Sequence, residues 1–168
     1  NGIKGFLKKV FLRKVSKVYA PGDNHIKLLQ DLNYNGLIIK TKGVGLINYT
    51  SKSQPLEKYK NKFLYIGRLS EVKNLAFLIK VFNKLPEYSL NIIGEGPDKI
   101  KLELLSKPNI NFVGSVENKA LSKYFSQNNF LILPSLSEPW GLVVEESLHN
   151  EMPVIVSNNC GSVDLVNN

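Results

Sequence analysis

The chain has few of the residues that build disulfides and metal centres. Its 168 residues include one cysteine and two histidines. A single thiol, Cys160, cannot form a disulfide within the chain, which is consistent with a reducing compartment. The histidines are far apart, and the sequence has neither a Cys pair nor an Asp-x-Asp motif, so no metal-ligand set is recognisable. We therefore expect a protein that works without a bound metal or other cofactor.

Long apolar runs are also absent. No stretch approaches the ~20 residues that a membrane-spanning helix needs, and none reads as a signal peptide. We therefore expect a cytoplasmic protein. The chain opens on Asn1 without an initiator Met and stops just after a predicted helix start, so we expect it to be a piece of a longer protein.

Basic residues are concentrated in the first third of the chain. Residues 1–62 hold 13 Lys or Arg against three acids, a balance of +10, whereas residues 63–168 hold 9 against 11, a balance of −2. Residues 1–18 combine a helical apolar stripe, from Ile3 to Val18, with interleaved lysines. This pattern fits either an interfacial helix on anionic lipid, at the inner face of the membrane, or a helix packing on its own domain. No nucleic-acid reader module is present, so nucleic acid is not an expected partner.

The remainder of the chain alternates between apolar strand patterns and amphipathic helix patterns. A helix through Leu32, capped by Asp23 or Asn24, holds His25 as a solvated or capping residue. Residues 48–61 are polar and predict an interdomain linker. From residue 62 the alternation of strand and helix becomes regular and predicts an α/β domain with a parallel sheet covered by helices on both faces. The predicted strands are 63–66, 89–93, 111–113, 129–133 and 154–156, and the predicted helices are 75–84, 97–106, 118–126 and 141–150.

One stretch, residues 130–146, combines a buried strand, a polar loop broken by prolines and a helix start. In open α/β sheets, ligands bind outside the carboxyl ends of strands, where helix N-termini offer free N–H groups. The loop places Glu138 at that position, and Glu146 follows about two helical turns later on roughly the same face. Carboxylates accept hydrogen bonds from hydroxyls, so the pair suits a sugar and a ribose. Alternatively, Glu138 is only a helix-start charge and Glu146 an exposed acid.

A second loop, after the strand 63–66, carries Arg68 and Lys73. Arg can donate hydrogen bonds to two phosphate oxygens at once, and Lys adds a mobile positive charge, so together they could bind a nucleoside diphosphate. The alternative is a solvated loop of mixed charge, since Glu71 lies between them.

These stretches resemble the retaining family-4 glycosyltransferases of GT-B fold. Residues 138–146 read EPWGLVVEE, which is similar to the E-x7-E signature of that family. The resemblance continues in order through four other segments, which are GRLSEVKN (67–74), IGEGP (93–97), FVG (112–114) and PVIVS (153–157). It implies a GT-B type α/β fold with a Rossmann-like parallel sheet, of which residues 1–47 are the end of the N-terminal, acceptor-side domain. Residues 62–168 would be most of the C-terminal domain that binds the nucleotide sugar.

The resemblance also implies roles for particular residues. Arg68 and Lys73 would stabilise the diphosphate, and Glu138 would bind hydroxyls of the donor sugar, which makes these three the expected catalytic residues. Glu146 would bind the ribose. The other donor-binding residues expected are Gly67, Glu95, Trp140, Gly141 and Leu142. Glu95 could contact the base or simply face solvent.

Three positions depart from the family pattern. Asn74 and Glu151 stand where the family usually has glycine; Asn tolerates left-handed backbone angles, and Glu151 leaves the helix terminus open to a different construction. Asp164 stands for Glu in a turn resembling G-G-x-x-E, which puts a contact from that turn to the donor in doubt.

The resulting expectation is a metal-independent, retaining glycosyltransferase that moves a sugar from a nucleotide diphosphate sugar to a glycan or lipid-linked acceptor, as in polysaccharide or glycolipid synthesis. The chain by itself would turn over poorly or not at all. Two alternatives stay open: a nucleotide-sugar epimerase of GT-B fold, and a non-catalytic module that binds nucleotide sugar.

Overall fold

The computed structural model of the protein describes residues 2–44 and 61–166. Within these ranges, the helices are α1 (Ile3–Leu12), α2 (Asp23–Asp31), α3 (Leu75–Phe82), α4 (Lys99–Leu105), α5 (Leu121–Gln127) and α6 (Leu142–His149). The strands are β1 (Lys17–Ala20), β2 (Leu37–Lys40), β3 (Lys62–Ile66), β4 (Ser89–Ile93), β5 (Ile110–Gly114), β6 (Phe130–Leu133) and β7 (Val154–Val156). Short 3-10 turns lie at Glu71–Lys73, Asn118–Ala120 and Gly161–Leu165.

The main sheet has five parallel strands in the order β5-β4-β3-β6-β7. The chain moves outward from β3 to β5, then returns across the sheet and adds β6 on the other side of β3. Because parallel crossovers are almost always right-handed, this reversal places the helices before and after it on opposite faces. The predicted α/β sheet with helices on both faces is confirmed.

The core of this domain follows the predicted periodicity. The inward residues of α3 are Leu75, Leu78, Ile79 and Phe82, all at most 4% exposed, as their spacing of three and four indicates. They cover the central strands, where Leu64 of β3, Leu90 of β4 and Leu131 of β6 are fully buried. Burying strands on both faces is typical of a parallel sheet, which explains their nearly continuous apolar character.

A smaller N-terminal unit, defined here as residues 17–44, precedes the main sheet. Its strands β1 and β2 pair in parallel, with α2 as the crossover. Ala20, Leu29 and Tyr34 form its buried centre. The preceding helix α1 leaves Ile3, Phe6 and other apolar side chains largely exposed.

The structure corrects several predicted helix boundaries, both before the main sheet and within its domain. The helical stripe was expected to run to Val18, but α1 ends at Leu12 and Val18 belongs to β1. Asp23 and Asn24 do not cap α2; Gly22 occupies the N-cap position, and Asp23 is the first helical residue. The predicted helix 97–106 is observed only over Lys99–Leu105, and the first turn of the helix at 118–126 is 3-10. Helix ends are the least determined part of a periodic pattern.

The predicted linker, residues 48–61, lies outside the described residues except for Asn61, so the domain boundaries stay a prediction. In the described part of the chain, no helix combines the length and apolarity needed to cross a membrane.

Helix α6 ends in a Schellman motif built on Glu151. The N–H of Met152 donates to the carbonyl of Ser147 at 2.9 Å, and the N–H of Glu151 donates to that of Leu148 at 3.0 Å. Glu151 itself has φ of +56°, the left-handed conformation that glycine normally supplies. The motif is therefore kept without glycine, at the expense of backbone strain.

We predict that Glu151→Gly stabilises the protein by about 1 kcal/mol, because glycine removes the steric cost of the left-handed backbone. Urea unfolding followed by circular dichroism measures the change. Glu151→Ala is the matched control, since it removes the carboxylate but keeps Cβ. If alanine stabilises the protein as much as glycine does, backbone strain is not the cause.

Candidate functional site

The candidate site lies where the strand order reverses, between β3 and β6. The loop after β3 (67–74) and the loop after β6 (134–141) leave the carboxyl edge of the sheet side by side. Two hydrogen bonds join them: the N–H of Leu136 donates to the carbonyl of Val72 at 2.8 Å, and the Asn74 side chain donates to the carbonyl of Pro134 at 3.3 Å. This reversal point is where open α/β sheets bind ligands.

The two loops bring together two of the three expected catalytic residues. The Lys73 ammonium donates to a carboxylate oxygen of Glu138, and these side chains are only 18% and 13% exposed. Residues 65 positions apart in sequence thus form a largely buried ion pair. The sequence did not predict this pair, and the roles of Lys73 toward a diphosphate and of Glu138 toward a sugar stay predictions.

Asn74 explains how the loop reaches this position without glycine. Its φ is +57°, so it adopts the left-handed conformation expected for this departure from the family pattern. Its side chain also makes the bond to Pro134, which glycine could not do.

A second pair of loops interlocks at the same edge. The N–H of Gly67 donates to the carbonyl of Ile93 at 3.0 Å, and the N–H of Leu69 donates to that of Glu95 at 2.9 Å. A Cβ atom on Gly94 would lie 1.9 Å from the carbonyl oxygen of Gly67. Gly94 is therefore required for close backbone approach, and the residues 67–69 are held rigidly against the end of β4.

Tyr65 is a site-supporting residue that sequence reasoning missed. It is fully buried in β3, and its hydroxyl donates to the carbonyl of Arg68 at 3.0 Å. Burial first, and then the negative charge of Glu138, raise the pKa of the Tyr65 phenol well above its ordinary value. The phenol is thus a neutral donor beneath the loop. An aromatic residue in a strand reads as core, and only the position of its hydroxyl shows the second role.

Arg68 and Glu95 lie at the outer edge of the site. Arg68 is exposed, so its guanidinium can reach a ligand from solvent. Glu95 is also exposed and forms an ion pair at 2.8 Å with Lys99, the first residue of α4. The geometry is compatible with the solvent-facing alternative for Glu95, and its contact with a donor stays a prediction.

The loop after β6 turns into α6 at Gly141, whose φ is +84°. A Cβ there would meet the side chains of Leu133 and Cys160, so glycine is needed for both conformation and space. Leu142 is the first residue of α6, and the first N–H groups of a helix have no intrahelical partner. The amides at this turn are therefore suitable donors for a polar ligand.

The side chain of Trp140 is directed away from solvent. It is 7% exposed, and its indole N–H donates to a carboxylate oxygen of Glu145. If Trp140 contacts the nucleotide sugar, it therefore does so through its backbone. Glu145 is engaged by Trp140 and also accepts from the N–H of Val44 at 2.8 Å. Glu145 thus has a structural role, and the assignment of Glu146 to the ribose stays a prediction.

The turn at 159–162 supports the loop from below. The N–H of Glu138 donates to the carbonyl of Asn159, and that of Gly161 to the carbonyl of Glu138. A Cβ on Gly161 would lie 1.9 Å from the carbonyl oxygen of Pro139. Cys160 is buried with its thiol 3.2 Å from the carbonyl of Trp140. The backbone of Glu138 is thereby fixed on both sides.

The N-terminal unit packs against this turn through Asp164. The Asp164 carboxylate accepts from the N–H of Asp23 at 2.7 Å, and Lys40 lies 3.2 Å from it and 2.7 Å from the Asp23 carboxylate. The backbone hydrogen bond from Asp23, with the Lys40 charge, lowers the pKa of Asp164. Asp164 therefore joins the N-terminal unit to the main domain. Because its carboxylate is used in this contact, the doubt that this turn contacts the nucleotide sugar remains.

His25 was expected to be solvated or capping, but it packs against the site loop. Its ring lies edge-on to Trp140 with 5.8 Å between ring centroids. Together with the Val44 contact to Glu145, this places α2 and the end of the N-terminal unit against Trp140.

Within residues 2–44 and 61–166, no three His, Cys, Asp or Glu side chains cluster in a way that could hold a metal ion. Metal independence of the reaction stays a prediction.

The fold is shared with glycosyltransferases of known structure. A sucrose-phosphate synthase from Thermosynechococcus elongatus superposes with a TM-score of 0.79 at 21% identity, covering 96% of this chain and 45% of that one. The pneumococcal O-GlcNAc transferase GtfA, solved with UDP and GlcNAc, gives 0.73 at 22% identity, covering 90% and 32%. The architecture is thus that of the GT-B class.

Sequence comparison identifies the family. The family model described as glycosyl transferases group 1 matches residues 48–168, more than half of the chain. The chain therefore belongs to the group 1 glycosyltransferases. Similar proteins include sulfoquinovosyl transferase SQD2 of Arabidopsis thaliana, 34% identical over 112 residues, which are 66% of this chain and 22% of that protein. The O-antigen biosynthesis glycosyltransferase WbnH of Escherichia coli is 28% identical over 109 residues, 62% of this chain and 31% of that protein. The chain spans less than a third of the length of these two relatives.

We predict that Asp164→Asn lowers the free energy of unfolding by about 1 kcal/mol at neutral pH, because the hydrogen bond from Asp23 loses its charge assistance. The folded-state pKa of Asp164 is depressed, so its stabilisation is present above the unfolded-state pKa of about 3.9 and is lost as the pH falls through the folded-state pKa. Urea unfolding between pH 7 and pH 3 should therefore show a smaller loss of stability in the variant than in the wild type.

The control for this experiment is Glu117→Gln. Glu117 pairs with Lys119 on the surface, where both side chains are exposed, so its removal should have little effect at any pH. Identical pH profiles for wild type and Asp164→Asn would show that this contact does not stabilise the fold.

Proposed function

We propose that the protein transfers a sugar from a nucleotide diphosphate sugar to an acceptor hydroxyl, with retention of anomeric configuration and without a metal. The observation that carries the proposal is the contact between Lys73 and Glu138 across the reversal point of the sheet. The chain belongs to the group 1 family, and in the role proposed here the contact would bring a cation for the diphosphate next to a carboxylate for the sugar.

The diphosphate would lie over the loop after β3. Arg68 is exposed at its outer side and Lys73 lies on its inner side, so the two cations can approach the phosphates from different directions. They stabilise the negative charge that develops as the nucleoside diphosphate departs. The rigid attachment of residues 67–69 to the end of β4 and to the Tyr65 hydroxyl positions this loop before the ligand arrives.

The sugar and ribose would lie over the loop after β6. Glu138 accepts hydrogen bonds from sugar hydroxyls, and the N–H groups at Trp140, Gly141 and Leu142 donate to sugar or phosphate oxygens. Glu146, at the second turn of α6, accepts from the ribose hydroxyls. Gly67 and Glu95 border the same edge at the ends of β3 and β4.

Retention follows if the acceptor attacks from the face that the diphosphate leaves. The bond between the sugar C1 and the phosphate oxygen breaks, and a bond between C1 and the acceptor oxygen forms on the same face. The acceptor proton passes to the departing phosphate oxygen, so no separate base is needed. Arg68 and Lys73 balance the charge that remains on the diphosphate.

The acceptor class is proposed from the relatives. WbnH is named for O-antigen biosynthesis and SQD2 for sulfoquinovosyl transfer. We extend this to a polysaccharide or lipid-linked acceptor. The exposed apolar side chains of α1 and the lysines around them agree with contact to an anionic membrane surface, and this location stays a prediction.

We predict that the protein binds one class of nucleotide sugar and that Arg68→Ala and Glu146→Gln each weaken this binding by about tenfold, because each removes a charge-assisted hydrogen bond. Calorimetric titration of UDP-, GDP- and ADP-sugars identifies the class. Lys119→Ala is the control, since Lys119 pairs with Glu117 on the surface after β5. A folded protein that binds none of these nucleotides would contradict the proposal.

We predict that the full-length protein, incubated with donor and acceptor, forms a product whose new glycosidic bond has the anomeric configuration of the donor. Nuclear magnetic resonance of the product measures it. An inverted product would refute retention alone. An epimerised sugar formed without acceptor would favour the epimerase alternative, and donor binding without consumption would favour the non-catalytic module.

A further inference from the structure

The ion pair between Lys73 and Glu138 affects how the site binds a nucleoside diphosphate with and without an attached sugar. Both side chains are largely buried, so each is the main compensating charge of the other. Tyr65 supports the same loop from β3, because its buried hydroxyl donates to the carbonyl of Arg68 at 3.0 Å. A ligand that enters here meets Lys73 and Glu138 together.

The two charges respond in opposite ways to a nucleoside diphosphate. The ammonium of Lys73 attracts the phosphates, whereas the carboxylate of Glu138 repels them and competes for the same ammonium. A diphosphate without a sugar therefore leaves Glu138 with a negative charge beside it and with no new hydrogen-bond donor. Because the Lys73 and Glu138 side chains are largely buried, solvent screens this repulsion only weakly.

A nucleotide sugar removes this conflict. Its hydroxyls donate to Glu138 and take the place of the Lys73 ammonium, which is then available to the phosphates. The same carboxylate that disfavours the diphosphate alone thus favours the diphosphate that carries a sugar.

We propose that Glu138, through its ion pair with Lys73, is a specificity-determining residue that makes the site select the nucleotide sugar over the nucleoside diphosphate left after transfer. This inference rests on the proposed function. It assigns Glu138 a role against the product in addition to its contact with the sugar. After transfer the sugar leaves Glu138, the ion pair re-forms, and competition for Lys73 promotes release of the diphosphate.

The test compares the affinities of Glu138→Gln and wild type for UDP and UDP-glucose, GDP and GDP-mannose, and ADP and ADP-glucose. For the nucleotide that wild type binds, the variant should bind the sugar-free diphosphate about three- to tenfold more tightly, because the competing carboxylate is gone. It should bind the nucleotide sugar less tightly. A residue that only contacts sugar would leave the affinity for the free diphosphate unchanged.

The matched control is Glu71→Gln. Glu71 is exposed in the same loop and carries the same charge, but its removal leaves the ion pair intact. If Glu71→Gln tightens diphosphate binding as much as Glu138→Gln does, the effect is general electrostatics and the proposal is wrong.

The double variant Lys73→Gln with Glu138→Gln removes both charges, so it folds without leaving one of them buried and uncompensated. Relative to Lys73→Gln alone, adding Glu138→Gln should give a smaller gain in diphosphate affinity than it gives in wild type, since the ammonium is no longer there to be released. An equal gain in both backgrounds, or an unchanged or reduced affinity of Glu138→Gln for the free diphosphate, would overturn the proposal. Failure of wild type and every variant to bind any of the six nucleotides would instead contradict the proposed function itself.

Discussion

The reversal of strand order between β3 and β6 is the constraint on which the site depends. Because neighbouring strands there send their loops along the same edge, two segments about 65 residues apart in sequence come into direct contact. The hydrogen bonds of Leu136 and Asn74 fix the spacing of these loops. The pairing of a cation from one loop with a carboxylate from the other is a result of that topology.

Close backbone contacts and buried side chains together stabilise the loops. Gly94 and Gly161 allow one backbone to approach another at distances that any Cβ would prevent. Tyr65 and Cys160 fill the space beneath. Such rigid support lets Lys73 and Glu138 keep their positions before a ligand binds, which reduces the ordering cost of binding. The N-terminal unit adds to this support through Asp164, Glu145 and His25.

Where the family pattern is broken, the backbone is preserved. Asn74 and Glu151 stand in place of glycine, yet both adopt the left-handed conformation that glycine would supply. Asn74 compensates with a hydrogen bond to Pro134, whereas Glu151 holds a Schellman motif by the surrounding hydrogen bonds alone. A substituted residue in such a turn therefore does not imply a different turn.

The sequence by itself determined the α/β class, most strands, the inward face of α3 and the loops in which Arg68, Lys73 and Glu138 lie, because periodicity and turn residues are local properties of the chain. It did not determine the end of α1, the cap of α2 or the packing of His25, since these depend on which surfaces meet. Only the tertiary structure decided that Lys73 pairs with Glu138, that Tyr65 supports the Arg68 backbone and that Asp164 holds the N-terminal unit. These contacts join residues distant in sequence, and local pattern carries no information about them.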